Sequence, residues 1–411
     1  MDLARNLIGR INVGDSLTRA AAARPGQLAV VDGDRRLSLE AQLVTAMRDA
    51  IAKVPEVGDV IVAPGTQPEA PAREPEDRAW TTLEALNGHG CAQGPECFVD
   101  DRDALSYLYT SGTTSFPKGV VGSHLAIYLE SMSGALDSGW NARDRFAAMM
   151  PMFHTAQLNA FCTPAIMVGA TIYVMRGFDP AALLDLIERE QITQIFGLPV
   201  MYRAMLDHDG FHDRDLLSLR RAVYAMAPMP DDLIGRCLTG FGCDFALLFG
   251  QTEMSPVTTL FRPEHQLSHI GAVGTPLTGV QVAIMGPDGD LLPPGETGEI
   301  VYRGPSTMSG YLYDQDTTDR AFAYGWFHSG DVGRFGEDGV LWFTDRYKDI
   351  IKTGGENVAS IEVEKAVYAA DRRIAEVVVV GLPHRRWARR SPPSWCPSRV
   401  RPSMPANCSP R

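Results

Sequence analysis

No stretch of this sequence is long and apolar enough to span a membrane. The most apolar run, Ala160 to Met175, is interrupted by Thr163, Pro164 and Gly169, and reads as a buried helix followed by a strand. The first residues, MDLARNLIGRINVGDS, lack the apolar core of a signal peptide. None of the seven cysteines pairs at C-x-x-C zinc spacing, and the count is odd. Free thiols in a reducing, cytoplasmic compartment are the reading this favours over a disulfide framework. Positive charge is also short. A net charge of −12 argues against a nucleic-acid partner, and any polyphosphate site has to be built locally against a repelling field. The final segment reverses this balance. Residues 385–411 carry arginine, proline and serine with no lysine or acid, a composition expected of a disordered tail.

What is present is ordinary for a soluble globular chain. It has 411 residues, 45% of them apolar and 21% charged, enough for a large core and about two or three domains. LAVVDGDRRLSL reads as a hairpin turning at Gly33-Asp34. A helix with Leu43, Met47 and Ile51 on one face follows, then a strand in GDVIVAP and a Pro- and Glu-rich surface loop over 64–80. From 104 to about 260, strand candidates (RFAAMM, ATIYVM, QITQIFGL, RRAVYAM, DFALLFG) alternate with helices. One helix, DPAALLDLIERE, has Asp179 as N-cap and Pro180 at its first position. Such alternation predicts α/β layers around a parallel sheet. From 270 to 345, short strands separated by glycine turns predict a β-rich subdomain.

One loop stands out. LYTSGTTSFPKGV, residues 108–120, packs glycine and hydroxyl residues ahead of a single lysine. Such composition is usual in a solvated connection. Here an apolar strand candidate, ALSYLY, precedes it, and Leu125, Leu129 and Met132 follow at helical spacing. The pattern predicts a strand-to-helix loop, where backbone N–H groups and the helix dipole favour phosphate. Thr110, Ser111, Thr113 and Thr114 add hydroxyl donors, and Lys118 adds a point charge. It is not a Walker A loop. Gly112 and Lys118 have the right separation, but Pro117 and Gly119 stand where that pattern needs Gly and Ser or Thr.

YTSGTTSFPKG resembles the phosphate-binding signature of the adenylate-forming enzymes, which include acyl-CoA synthetases, peptide-synthetase adenylation domains and luciferases. Further segments match in the family's order. PMFHTA (151–156) resembles the stretch beside the acyl pocket. FGQTE (249–253) resembles Y-G-x-T-E. GETGEIVYRGPSTMSGY resembles the next signature. GWFHSGD, ending at Asp331, resembles W-x-x-T-G-D, and DRYKDIIKTGGENV (345–358) resembles the hinge. The likeness covers roughly residues 100–383. Singly, each residue has a plainer reading: Glu253 as a surface carboxylate, Phe249 as core, Asp331 as a turn residue, His154 as a satisfied histidine, Arg346 and Lys348 as a solvated charge cluster. Only the ordered set reverses those readings.

The resemblance implies a large N-terminal adenylate-forming domain over 1–345 and a remnant of a small α+β C-terminal domain over 346–384. It implies ATP-dependent activation of a carboxylic acid to acyl-AMP, then transfer to coenzyme A, with Mg²⁺. By resemblance, Thr110, Ser111, Gly112, Thr113, Thr114 and Lys118 hold the phosphates. Thr252 meets the α-phosphate and Glu253 holds Mg²⁺. Phe249 stacks on adenine, the stretch from Ala225 to Pro228, with Ala227, walls the other side, and Gly250 belongs to the cofactor-binding set. Asp331 and Arg346 bind the ribose. Lys348 is the hinge residue, Gly354 and Gly355 line the pantetheine path, and His154 is a substrate contact. GGENV followed by EVE is closer to acyl-CoA ligases than to peptide-synthetase domains. The apolar, Met-bearing segments FHTAQLNAF and YAMAPMP favour a medium- or long-chain fatty acid.

Four departures from the pattern stand out. Ser115 replaces a glycine. Leu247 replaces an amide that reads adenine. The segment before the phosphate loop is short, which implies an internal deletion near Gln42. The family's C-terminal lysine, in P-x-x-x-x-G-K, has no counterpart, because the last lysine is Lys365. Losing one such preorganised donor costs roughly 10²–10³ in rate. The abrupt change after His384 is what an out-of-frame reading of a GC-rich gene gives, so a non-catalytic remnant that keeps only nucleotide binding is the competing expectation.

Overall fold

The computed structural model describes residues 97–110, 117–227, 229–353, 356–370 and 374–383, with short stretches at 30–31, 59–62, 79–82, 389–390 and 393–397. A twelve-stranded sheet organises them. Its middle is parallel: Thr171–Val174, Arg145–Ala148, Gln194–Gly197, Arg221–Tyr224 and Asp244–Gly250 lie side by side in that order. These are the strands that the alternation predicts. Helices cover them, so Phe146, Ala147, Ile195, Phe196, Ala222, Phe245 and Ala246 are buried and the strands read as apolar runs. Phe161 stacks on Phe196 at 4.4 Å and on Phe146 at 5.3 Å in this core. The helix Pro180–Glu190 begins as its sequence dictates, with Asp179 Oδ1 accepting from the Ala182 N–H at 2.8 Å.

The β-rich stretch is not set apart from this sheet. Val257–Phe261 turns back antiparallel to Asp244–Gly250, and the same ladder runs on through Ala272–Pro276, Leu341–Arg346, Phe327–Phe335, Gly298–Arg303 and Gln281–Met285. Glycine turns predict hairpins, but they cannot say which existing edge a hairpin will join. Val30–Val31 pairs in parallel with Ile172–Tyr173, and Asp59–Val62 pairs in parallel with Ala79–Thr82. The second pair moves the end of the expected 64–80 loop into a strand. The expected turn at Gly33-Asp34, the helix through Leu43 and the deletion point near Gln42 lie outside the described residues.

The phosphate-loop expectation needs a correction. Ala104–Thr110 leads through the loop not to a helix but to a second strand, Lys118–Ser123, paired antiparallel with the first. Val120 and Val121 are β-branched and favour extended backbone, and Val120 is buried. The helix starts only at His124, where Ser123 Oγ accepts from the Ala126 N–H at 3.1 Å. That cap is five strand steps from Lys118, about 17 Å at the usual rise. The helix N-terminus therefore lies at the far end of the Lys118–Ser123 strand from Lys118.

The following helix, His124–Asp137, also turns a different face inward. Ala126, Ile127, Glu130, Ser131 and Gly134 are buried, whereas Met132 is 47% exposed. Glu130 Oε1 has no hydrogen-bond partner, and burial drives its carboxyl well above the ordinary range, toward the neutral acid.

Beyond Arg346, the helix Ser360–Ala370 lies on the strand Ile374–Val379, with a small cluster around Ile351, Val377 and Val379. Part of the expected disordered tail is instead paired. Pro393–Pro397 lies antiparallel to Ile374–Val379, whose open edge offers unpaired N–H and C=O groups. Among the described residues no helix is long and apolar enough to cross a membrane.

Candidate active site

A cleft of about 1160 Å³ collects Thr110, Lys118, His154, Ala227, Phe249, Gly250, Thr252, Glu253, Asp331, Arg346 and Lys348 along its walls. These residues come from segments spread over most of the described chain. Ser111, Gly112, Thr113, Thr114, Gly354 and Gly355 lie outside the described residues, as does Ser115.

The strand Asp244–Gly250 delivers Thr252 and Glu253. Its ladder with Val257–Phe261 is irregular at Phe249/Gly250, and the chain leaves through a short turn, Thr252–Met254. Gly250 has φ +156, and a Cβ there would sit 2.0 Å from the Pro256 carbonyl oxygen. Gln251 N donates to that same oxygen at 2.9 Å, closing the loop on itself. Glu253 is then held twice. Its backbone oxygen accepts from the Met308 N–H at 2.7 Å, and its Oε1 accepts from the Tyr311 hydroxyl at 3.0 Å. Lys118, at the start of its strand, places its ammonium 4.9 Å from the centroid of the same Tyr311 ring. Tyr311 is absent from the residues named from sequence. It closes the quoted GETGEIVYRGPSTMSGY segment, so the motif points to it, but the motif alone does not reveal what it touches.

Asp331 and Arg346 face each other across the antiparallel strands Phe327–Phe335 and Leu341–Arg346, with Arg346 Nε 3.2 Å from Asp331 Oδ1. The pair is uneven: the Asp331 side chain is 6% exposed and that of Arg346 is 53%. Burial pushes the Asp331 carboxyl from 3.8 up to about 6, against the pull of Arg346, and the charges of Glu253 and Glu299 add to the rise. Behind it, Glu299 accepts from the Gly330 N–H at 2.9 Å through Oε1 and meets His328 Nδ1 at 2.8 Å through Oε2. This brace under the Gly330–Asp331 turn is a second feature that sequence reading missed, although both residues lie inside quoted motifs.

The raised carboxyl has a consequence for stability. The folded chain holds this proton more tightly than the unfolded one. The contribution is therefore fully present below pH 3.8 and is lost as pH rises through about 6. The Asp331→Asn variant is expected to be more stable than the parent at pH 7, by about 1–3 kcal/mol, and no more stable at pH 4. Thermal unfolding at the two pH values checks this, and equal gains at both would contradict it.

The purine-side candidates lie apart from these charges. The Phe249 ring is 5.4 Å from Phe343 at 45°. Before Ala227, Met226 takes φ +69 and is 62% exposed, an unusual conformation for a side chain of that size. Leu247 lines the cleft as an apolar residue, so it offers no hydrogen bond. The deeper wall is formed by Phe161, Phe196, Tyr224, Met229, Ala272 and Val273. Its one hydroxyl, on Tyr224, donates to Gln266 Oε1 at 2.8 Å. His154 stands exposed at the mouth, and its Nδ1 accepts from the Ala156 N–H at 3.1 Å, so one ring nitrogen already caps a turn.

Among the described residues no group of three or more His, Cys, Asp or Glu is placed to hold a metal ion by itself. Mg²⁺ that arrives bound to polyphosphate is a different case, because it keeps several waters and needs only one or two protein carboxylates. Glu253, in the same cleft as Lys118, fits that requirement.

A mixed sheet with helices on its faces brings Lys118, Glu253 and the buried Asp331 to one cleft, the arrangement of an α/β protein with its site at the edge of the sheet. The chain belongs to the AMP-binding enzyme family, which it matches over residues 18–312. It is 36% identical over 293 residues to a feruloyl-CoA synthase of Amycolatopsis sp, covering 71% of this chain and 59% of that one. It is 37% identical over 284 residues to a medium/long-chain-fatty-acid–CoA ligase of Mycobacterium tuberculosis, covering 69% and 49%. The chain thus spans about half to three-fifths of the length of these relatives. Its fold is similar to that of o-succinylbenzoate CoA synthetase from Bacillus subtilis bound to its acyl-adenylate intermediate. The TM-score is 0.75 at 22% identity, with 94% of this chain and 89% of that one covered.

Proposed function

We propose that the chain uses ATP and Mg²⁺ to activate a carboxylic acid as acyl-AMP and passes the acyl group to coenzyme A. The observation that carries this reading is the convergence of Lys118, Glu253 and the Asp331–Arg346 pair on one cleft. In the first half-reaction the acid's carboxylate oxygen attacks the α-phosphorus, and pyrophosphate leaves. Negative charge grows on the phosphoryl oxygens, so the step needs fixed donors more than a general base. Lys118, Thr252 and the hydroxyls of residues 110–114 supply them. Glu253 would hold Mg²⁺, which would neutralise phosphate charge. Phe249 and Ala227 bracket the adenine, and Gly250 lets the backbone pass close beside it. Asp331 accepts ribose hydroxyls, for which it must be ionised. Nucleotide affinity is therefore expected to rise as pH passes upward through about 6, opposite in sign to the apo-protein's stability. In the second half-reaction the coenzyme A thiol attacks the acyl carbon and AMP leaves, with Lys348 as hinge, and with Gly354 and Gly355 along the thiol's approach.

For the acid we infer a medium- or long-chain fatty acid entering past His154. The wall of Phe161, Phe196, Met229, Ala272 and Val273 is uncharged, and the Tyr224 hydroxyl is already engaged. An aromatic acid is the competing substrate, as the named relatives include both kinds. A second reading is nucleotide binding without turnover, for which the residues lining this cleft would suffice.

The test is acyl-AMP and acyl-CoA formation, followed by mass spectrometry, with Mg-ATP, coenzyme A and a panel of fatty and aromatic acids. Acyl-CoA from fatty acids is the expected result. ATP binding without any product would favour the second reading, and neither binding nor product from folded protein would overturn both.

A further inference from the structure

Tyr311 touches both charged side chains on which the proposed chemistry rests. Its hydroxyl donates to Glu253 Oε1 at 3.0 Å, and the Lys118 ammonium sits 4.9 Å from its ring centroid. The ring is fixed from the backbone. Gly310–Tyr311 pairs antiparallel with Val120–Val121, on the strand that Lys118 begins. Leu312 N donates to the Gly119 oxygen at 2.7 Å, and Tyr311 N accepts no freedom either, donating to Thr318 Oγ1 at 2.9 Å. At the other end of the segment, Met308 N donates to the backbone oxygen of Glu253 at 2.7 Å. One short stretch, 308–312, is therefore tied to the Glu253 turn and to the Lys118 strand at once.

An ammonium and a carboxylate in one cleft attract, and a direct ion pair would occupy both. Among the described residues Lys118 and Glu253 form no such pair, and Tyr311 stands in contact with each. We propose that Tyr311 is a positioning residue that keeps Lys118 and Glu253 apart. Its hydroxyl orients the carboxylate toward Mg²⁺, and its ring face holds the ammonium ready for phosphate. This rests on the nucleotide reading given above.

The two contacts can be separated by binding measurements that need no turnover. Calorimetric titration would use the full chain, with ATP in excess EDTA and with Mg-ATP, for the parent, Tyr311→Phe and Tyr311→Leu. Tyr311→Phe keeps the ring and loses the hydroxyl. Its affinity for Mg-ATP is expected to fall about 10–100-fold, the usual effect of removing a metal ligand's hydrogen-bond partner, while metal-free ATP binds within about twofold of the parent. Tyr311→Leu loses both contacts and is expected to weaken both titrations, because Lys118 and Glu253 close on each other. Adding Glu253→Gln to Tyr311→Leu should then restore metal-free ATP binding, since the competing carboxylate charge is gone. A purely structural role would weaken both titrations together in Tyr311→Phe and would give no recovery in the double variant. Either of those results, or unchanged Mg-ATP binding in Tyr311→Phe, overturns the spacer role alone. A parent chain that binds neither form of ATP overturns the nucleotide reading and the spacer role with it.

Discussion

Lys118→Ala is expected to slow acyl-adenylate formation by roughly 10²–10³, equivalent to about 3–4 kcal/mol of lost transition-state stabilisation. The argument rests on where the charge is and how it is held. Lys118 opens the strand Lys118–Ser123 directly opposite Thr110, so its position is set by a ladder and not by a loose loop. Its side chain is half-buried over the Tyr311 ring, which limits where the ammonium can swing. The other cations along the cleft are placed differently. Arg346 is engaged by Asp331, Arg320 donates to Thr317 Oγ1 at 2.8 Å, and Lys348 is exposed beyond Arg346. Lys118→Arg should recover part of the rate, because the charge returns with a different geometry. Stability should change by no more than about 0.5 kcal/mol, as for other substitutions outside a packed core. Single-turnover rates and thermal unfolding separate the two effects. If the parent shows binding but no turnover, Mg-ATP affinity is the quantity to compare. An unchanged rate or affinity in Lys118→Ala would remove the phosphate role.

Gly250→Ala is expected to have the largest effect on stability, at least about 3 kcal/mol, together with loss of nucleotide binding. The new Cβ would meet the Pro256 oxygen at 2.0 Å and the Thr258 nitrogen at 2.9 Å. Both are backbone atoms, one just before the neighbouring strand and one within it, so no side-chain rotation relieves the contact. Relief requires the turn carrying Thr252 and Glu253 to move. Gly235 is the useful control. It lies in the helix Asp231–Phe241, and a Cβ there would meet nothing within 4 Å. Gly235→Ala is expected to stabilise the chain by about 0.5–1 kcal/mol, because glycine inside a helix costs backbone entropy. Denaturant unfolding of both variants, with ATP titrations, reads the contrast. Equal stability of Gly250→Ala and the parent would mean that the turn is not closed as described.

The sequence by itself determined the local elements of the parallel layer. Apolar runs such as DFALLFG need burial on both faces, and Asp179-Pro180 starts a helix through contacts within a few residues. It also determined the family, because the motif segments stand in order along the chain, and it named several of the residues that line the cleft, Lys118, Glu253 and Asp331 among them. The tertiary structure alone decided how those residues are used. Lys118 came to open a strand and not a helix because Lys118–Ser123 found a partner in Ala104–Thr110, which a helical reading of Leu125, Leu129 and Met132 could not weigh. The β-rich stretch extended the main sheet because an open edge was available there. Asp331 acquired its raised carboxyl, and Tyr311 its place between Lys118 and Glu253, only once distant strands paired. The Tyr311–Glu253 hydrogen bond alone joins residues 58 positions apart. Periodicity and capping report on neighbours within a turn or a strand, whereas burial and charge spacing at this site depend on which distant strands come together.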